Sequence, residues 1–173
     1  ETVIDLNPDG TPKQKVVTSV SADGESTSVW TTAGAASTAV MTGTALGLTL
    51  GNNNDVLTMT GSKNSVAFGD GADKATVTGS NNTLAFGAGS DTVTLTGDNN
   101  TLTFSAAGNT IGITGKNESV AVSSSSIVLQ AGSSATITGT NNVITVYGNA
   151  TVTAVGAGNT ITYLPVGKGL NGI

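Results

Sequence analysis

Three aspartates stand 18 residues apart in this chain, Asp55, Asp73 and Asp91, and the last two each close a Gly-x-Gly-x-Asp run, GDGAD at 69–73 and GAGSD at 87–91. Carboxylates at a fixed interval, beside glycines that let backbone carbonyls turn, are donor types suited to a hard divalent cation. The candidate metal set is Asp55, Asp73 and Asp91 with the backbone of Gly69, Gly71, Gly87 and Gly89, and calcium is the candidate ion. If the carboxylates lie one above another at about 4.8 Å, each neighbouring pair repels by roughly 0.9 kcal/mol in water and roughly 3.5 kcal/mol at an effective dielectric constant of 20. A cation between them removes that penalty. The alternative is that these side chains make Asx-turns screened by water.

The elements that must position them follow from a repeat. Broken every nine residues, 78–104 reads TGSNNTLAF, GAGSDTVTL, TGDNNTLTF, and the pattern runs from about 33 to 163. Positions 7 and 9 of each unit are apolar, positions 6 and 8 small and polar, and the opening is rich in Gly, Asn, Asp, Ser and Thr. That is a tight turn followed by a short strand of period two. Position 9 separates the units into two classes. Leu50, Phe68, Phe86, Phe104, Val122, Val146 and Tyr163 end one class, and Met41, Met59, Val77, Leu95, Ile113, Ile137 and Ala154 end the other. The true repeat is therefore 18 residues, two strands and two turns per coil. The expected fold is all-β: a parallel β-roll or β-helix solenoid of about seven coils, roughly 34 Å long, with Phe68, Phe86 and Phe104 stacked inside. SSSSIV at 123–128 falls outside this phase and is expected to protrude at a turn.

Position 5 differs between the classes. It reads Asn64, Asn82, Asn100, Glu118, Asn142 and Asn159 in one, and Asp55, Asp73, Asp91, Asn109 and Ser133 in the other. The Asn column is expected to form an amide ladder along one edge, in a turn backbone that Asn tolerates at positive φ. Residues 1–32, with alternating β-branched runs parted by NPDG and ADGE, predict a short antiparallel β-meander that caps or leads into the array. Residues 164–173 read as a linker or frayed cap.

Composition narrows the function. The 173 residues include no Cys and no His, and the six basic residues are all Lys. Disulfides, thiolate metal sites and most catalytic constellations are thereby excluded. A net charge of −5 disfavours nucleic acid and anionic membrane surfaces as partners, and no apolar run reaches the roughly 18 residues of a membrane span. The opening ETVIDLN lacks the features of a signal peptide, so a mature or excised piece of a longer protein is expected.

The run Phe86 to Thr94, FGAGSDTVT, resembles the haemolysin-type (RTX) calcium-binding nonapeptide repeat, Gly-Gly-x-Gly-x-Asp-x-U-x, except at its first glycine; Phe68 to Thr76 also departs at Ala75. The resemblance covers about three units on one edge and implies calcium there. The Thr-Gly-x-Asn-Asn-Thr units are more similar to calcium-free repeats of secreted bacterial β-strand repeat proteins and surface adhesins. That likeness implies an extracellular or bacterial cell-surface location.

Other candidate sites are weaker. DLNPDG at 5–10 opens like an EF-hand loop, yet its twelfth position is Val16 where a bidentate Glu is needed, and a hairpin turn explains it better. Outward Thr-x-Thr pairs such as Thr92/Thr94 and Thr101/Thr103 resemble an ice-binding face, interrupted by Lys74, Gly47, Gly112 and Ala85. Trp30 reads as a cap on the open core. Polysaccharide lyases built as β-helices pair a calcium-bound carboxylate with a basic residue, but Lys74 follows Asp73 directly and adjacent strand residues point to opposite faces. The expectation is a non-enzymatic structural or adhesive repeat segment of a larger secreted or cell-surface bacterial protein. Its partners are neighbouring repeats of the same polypeptide and extracellular glycan or a host or cell surface. The alternative is a calcium- and glycan-binding extracellular module, with an ice-binding solenoid as a third reading.

Overall fold

In the computed structural model of the chain the described residues are 2–6, 12–20, 26–31 and 36–165, with side chains described from 36 onward. Every regular element among them is a strand. β1 (Thr2–Leu6), β2 (Pro12–Val20) and β3 (Ser26–Thr31) pair antiparallel in sequence, and β3 pairs antiparallel with β4 (Ser37–Thr44). The expected meander is therefore present and feeds its last strand into the first strand of the array. The two Asp-Gly turns, the EF-hand-like stretch beyond Leu6, the side chain of Trp30 and the closing residues beyond Pro165 lie outside the described residues.

From β4 onward the chain winds as a parallel solenoid. Sheet A stacks β4, β6 (Val56–Ser62), β8 (Lys74–Thr78), β10 (Thr92–Thr96), β12 (Thr110–Thr114), β14 (Ser126–Leu129), β16 (Val143–Tyr147) and β18 (Thr160–Leu164). Sheet B stacks β5 (Gly47–Thr49), β7 (Ser65–Ala67), β9 (Thr83–Phe86), β11 (Thr101–Phe104), β13 (Glu118–Ala121), β15 (Ser134–Thr138) and β17 (Thr151–Val155). Strand alternation sends one side chain in and the next out, so β10 reads exposed, buried, exposed, buried, exposed. The core between the sheets takes Met41, Met59, Val77 and Leu95 from one side and Leu84 and Leu102 from the other. Phe68, Phe86 and Phe104 stack with ring centroids 4.5 and 4.6 Å apart and planes within 10° of parallel. Each buried ring contributes roughly 1.5–3 kcal/mol through apolar burial alone.

Register follows the 18-residue repeat through the first coils: Thr92 pairs with Lys74 on one side and Thr110 on the other. It then changes. Thr110 pairs with Ser126, an offset of 16, and Glu118 pairs with Ala135, an offset of 17. Ser126 to Val143 and Val143 to Thr160 are also 17 apart. Residues 123–128 are accordingly no protrusion. They supply a shortened turn and most of β14, with Ile127 fully buried.

Counting that hexad as an inserted loop skips one strand, and every later unit is then assigned to the wrong sheet. Leu129, Val146 and Tyr163 stand in sheet A, whereas Ile137 and Ala154 stand in sheet B. The reason is geometric. A turn can shorten by two residues and still bring an alternating apolar pair, here Ile127 and Leu129, into register with Ile111 and Ile113.

Candidate functional site

Each coil crosses from sheet B to sheet A and back, making two edges, and position 5 lies at the end of each crossing. On the B-to-A edge Asp55, Asp73 and Asp91 form the expected column, each with about 1% of its surface exposed. One oxygen of each is committed. Asp73 Oδ1 accepts the backbone N–H of Asp55 at 2.8 Å, and Asp91 Oδ1 accepts that of Asp73 at 3.0 Å. Asp55 Oδ1 accepts the N–H of Ser37. These are bonds between coils, so the Asx-turn alternative, with solvent-screened carboxylates bonded to their own turn, does not describe them.

The column continues through Asn109, Ser125, Asn142 and Asn159, each presenting a side-chain oxygen to the backbone N–H of the member before it. Asn142 and Asn159 thus extend the Asp column, not the Asn column to which the nine-residue phase assigns them. Ser133, expected here, sits on the opposite edge, where its hydroxyl accepts the N–H of Gly115. Ser125 takes the place expected of it. The signal was available in the apolar Ile127-x-Leu129 pair that follows.

The A-to-B edge carries Asn64, Asn82, Asn100 and Glu118. Asn82 Oδ1 accepts the N–H of Asn64 at 2.9 Å, while its Nδ2 donates to Gly61 O at 3.0 Å and to Asn100 Oδ1 at 3.1 Å. The amide ladder is as expected, but its conformational reason is different. Positive φ falls on the preceding residue, 60° at Asn81 and Asn99 and 59° at Lys63. In each Asn-Asn pair the first residue makes the turn and the second bonds the neighbouring coil.

Electrostatics sets the two kinds of rung apart. In the Asn rungs of the B-to-A column the second polar atom is a donor: Asn109 Nδ2 bonds Ala106 O at 2.7 Å and Asn142 Nδ2 bonds Val122 O at 2.8 Å. In the Asp rungs that atom is an oxygen, and Oδ2 of Asp55, Asp73 and Asp91 is buried with no hydrogen-bond partner. Burial, followed by the charges of Asp91 and Asp55, outweighs the Asp55 N–H bond and pushes the Asp73 carboxyl up to about 6; burial raises Asp91 as well.

The glycines expected to turn carbonyls toward a cation have a different neighbour. A methyl group on Gly71 would lie 2.0 Å from Asn53 O and one on Gly89 1.7 Å from Gly71 O, while Gly69 and Gly87 meet Gly51 O and Gly69 O at 2.5 and 2.1 Å. These residues are glycine because successive turns touch. The nearby carbonyls of Asp70 and Ala88 accept N–H groups of Asn53 and Gly71. The column therefore offers one free carboxylate oxygen per coil, against the six to eight oxygens of a calcium cage.

The outer face of sheet A is the second feature of note. Thr42, Thr60, Thr78, Thr96 and Thr114 stand in register as one exposed column, beside a second of Thr58, Thr76 and Thr94. Gly112 ends the second column, Lys74 stands in a third with Val56, Thr92 and Thr110, and Gly47 and Ala85 belong to sheet B. No family model, curated protein or solved structure matches the chain.

Proposed function

We propose that the chain is a non-enzymatic structural and adhesive repeat segment of a larger secreted or cell-surface bacterial protein, with the outer face of sheet A as its contact surface for extracellular glycan. The observation that carries this reading is the five-membered threonine column with its three-membered neighbour. Parallel stacking places hydroxyls about 4.8 Å apart between coils and methyl groups beside them, a flat array of donors, acceptors and apolar patches on a rigid support. Such a surface suits an extended polymer that repeats its own hydroxyls. A coil stack whose units contact only their neighbours also suits a spacer, since its length scales with repeat number.

The test is binding of the purified chain to insoluble polysaccharides of bacterial and host surfaces. Replacing Thr60, Thr78 and Thr96 together by Lys should weaken binding at least tenfold, or about 1.4 kcal/mol. Replacing Thr101 and Thr103 on sheet B by Lys should leave it unchanged. Equal binding by both variants would remove sheet A from the proposal.

A calcium-binding module is the second reading, favoured by the row of partnerless Oδ2 atoms at Asp55, Asp73 and Asp91. On this reading millimolar calcium raises the melting temperature over that in chelator, following RT ln(1 + [L]/Kd), and Asp73→Asn abolishes the gain. A midpoint unmoved by calcium, with Asp73→Asn neutral or stabilising, leaves the column a cation-independent part of the scaffold.

A further inference from the structure

Glu118 ends the ladder of Asn64, Asn82 and Asn100, and the next position along that edge is Ala135, which has no polar side chain to continue it. It also stands where the 18-residue coils give way to shorter ones, since β12 and β14 are offset by 16 and β13 and β15 by 17. Glu118 is 98% buried. Its Oε2 accepts the N–H of Asn100 at 2.8 Å, as Asn82 Oδ1 does for Asn64. Its Oε1 and the Nδ2 of Asn100 are both buried without hydrogen-bond partners.

The position of Oε1 shows which protonation state the site accommodates. Beside Gly61, a methyl group would lie 1.8 Å from Gly43 O and 3.1 Å from Asn64 Nδ2, and these two atoms are hydrogen-bonded at 3.0 Å. Beside Gly115, three coils further along, the corresponding distances are 1.6 Å to Gly97 O and 3.0 Å to Glu118 Oε1. Oε1 thus occupies the place of the amide nitrogen and confronts the same kind of carbonyl. An ionised carboxylate there sets oxygen against oxygen, whereas a protonated one donates. The strands on either side, β11 and β15, hold no charged residue, and the closest charges in sequence and along the edge are the exposed Lys116 and Asp98.

We propose that Glu118 is a proton-gated rung at the seam of the solenoid: neutral in the closed rod, with Oε1–H donating to Gly97 O, and opening the contact between β13 and its neighbours when it ionises. Burial, the largest influence, raises its carboxyl from 4.5 to about 7 against the Asn100 N–H, the nearby Asn100 side-chain amide and the Asn99 N–H, with Asp98 adding to the rise. Because the folded value lies above the unfolded one, the contribution to stability is complete below about 4.5 and is lost as pH rises through about 7. The rod is then tightest in acid and loosens at its middle near neutrality.

The test uses the full chain in chelator, with amide exchange corrected for intrinsic pH dependence and carboxyl carbon shifts followed by NMR. The Glu118 carboxyl should titrate with a midpoint near 7. Protection of β13 amides should fall at least tenfold between pH 5 and pH 8 in the wild type. Glu118→Gln and Glu118→Asn, which keep a donor at every pH, should hold that protection constant. A carboxyl midpoint near 4.5, wild-type protection that does not change with pH, or a fall that persists in whichever of the two variants folds, would each overturn the proposal.

Discussion

Gly79→Ala is expected to destabilise the chain by more than about 4 kcal/mol in a denaturant titration, a loss beyond the usual range of a single substitution. Gly79 has φ of 138°, a conformation L side chains rarely adopt. A methyl group there would lie 1.8 Å from Gly61 O and 2.7 Å from Gly61 C, which is backbone and cannot swing away. Relief requires the two coils to separate. The same turn is held by Gly79 N–H to Thr96 O at 2.8 Å and Asn81 N–H to Asp98 O at 3.0 Å, so a shift propagates to the following coil. Gly47→Ala is the internal control. No atom lies within 4 Å of its added methyl and its φ is ordinary, so its effect should stay within about 0.5 kcal/mol. Similar losses for the two would mean that glycine content, and not coil contact, limits stability.

Ile127→Ala is expected to cost about 2–5 kcal/mol, the range for truncating a buried aliphatic side chain where the surroundings cannot collapse. Ile127 is fully buried, pairs with Ile111 in β12 and Ile144 in β16, and belongs to the continuous core of the solenoid. Val128, its neighbour, points outward and is partly exposed, so Val128→Ala should cost under about 1 kcal/mol. The comparison decides between a strand and a loop at 123–128. In a protruding loop both substitutions would be nearly neutral; in β14 they differ by the cost of a cavity.

Local pattern alone determined much of this protein. Strand alternation needs only that successive side chains point to opposite faces, so the inward row of Leu84, Phe86, Val93 and Leu95 and the outward row of Thr83, Thr92 and Thr94 could be read from four-residue windows. The interval of 18 put Asp55, Asp73 and Asp91 in one column and Phe68, Phe86 and Phe104 in another, because equal coils superpose equal positions. Where coils stop being equal, the interval loses its meaning. The six residues from Ser123 to Val128 look like an interruption until β12 and β16 are in place to pair with β14, and that pairing sends Asn142 to the column of Asp55.

The tertiary structure also decided what the polar rungs bond. An Asn or Asp after a glycine has an acceptor oxygen that suits its own turn equally well, and its sequence neighbourhood does not distinguish that partner from an N–H one coil away. Stacking does. Once the backbone of one turn lies against the next, the N–H of Asn64 and of Asp73 faces the following coil, and only the side chain 18 residues on can reach it. The second atom of that side chain is then buried whatever its chemistry. This is why the same fold satisfies the amide of Asn82 and leaves one oxygen of Asp73 and of Glu118 without a donor.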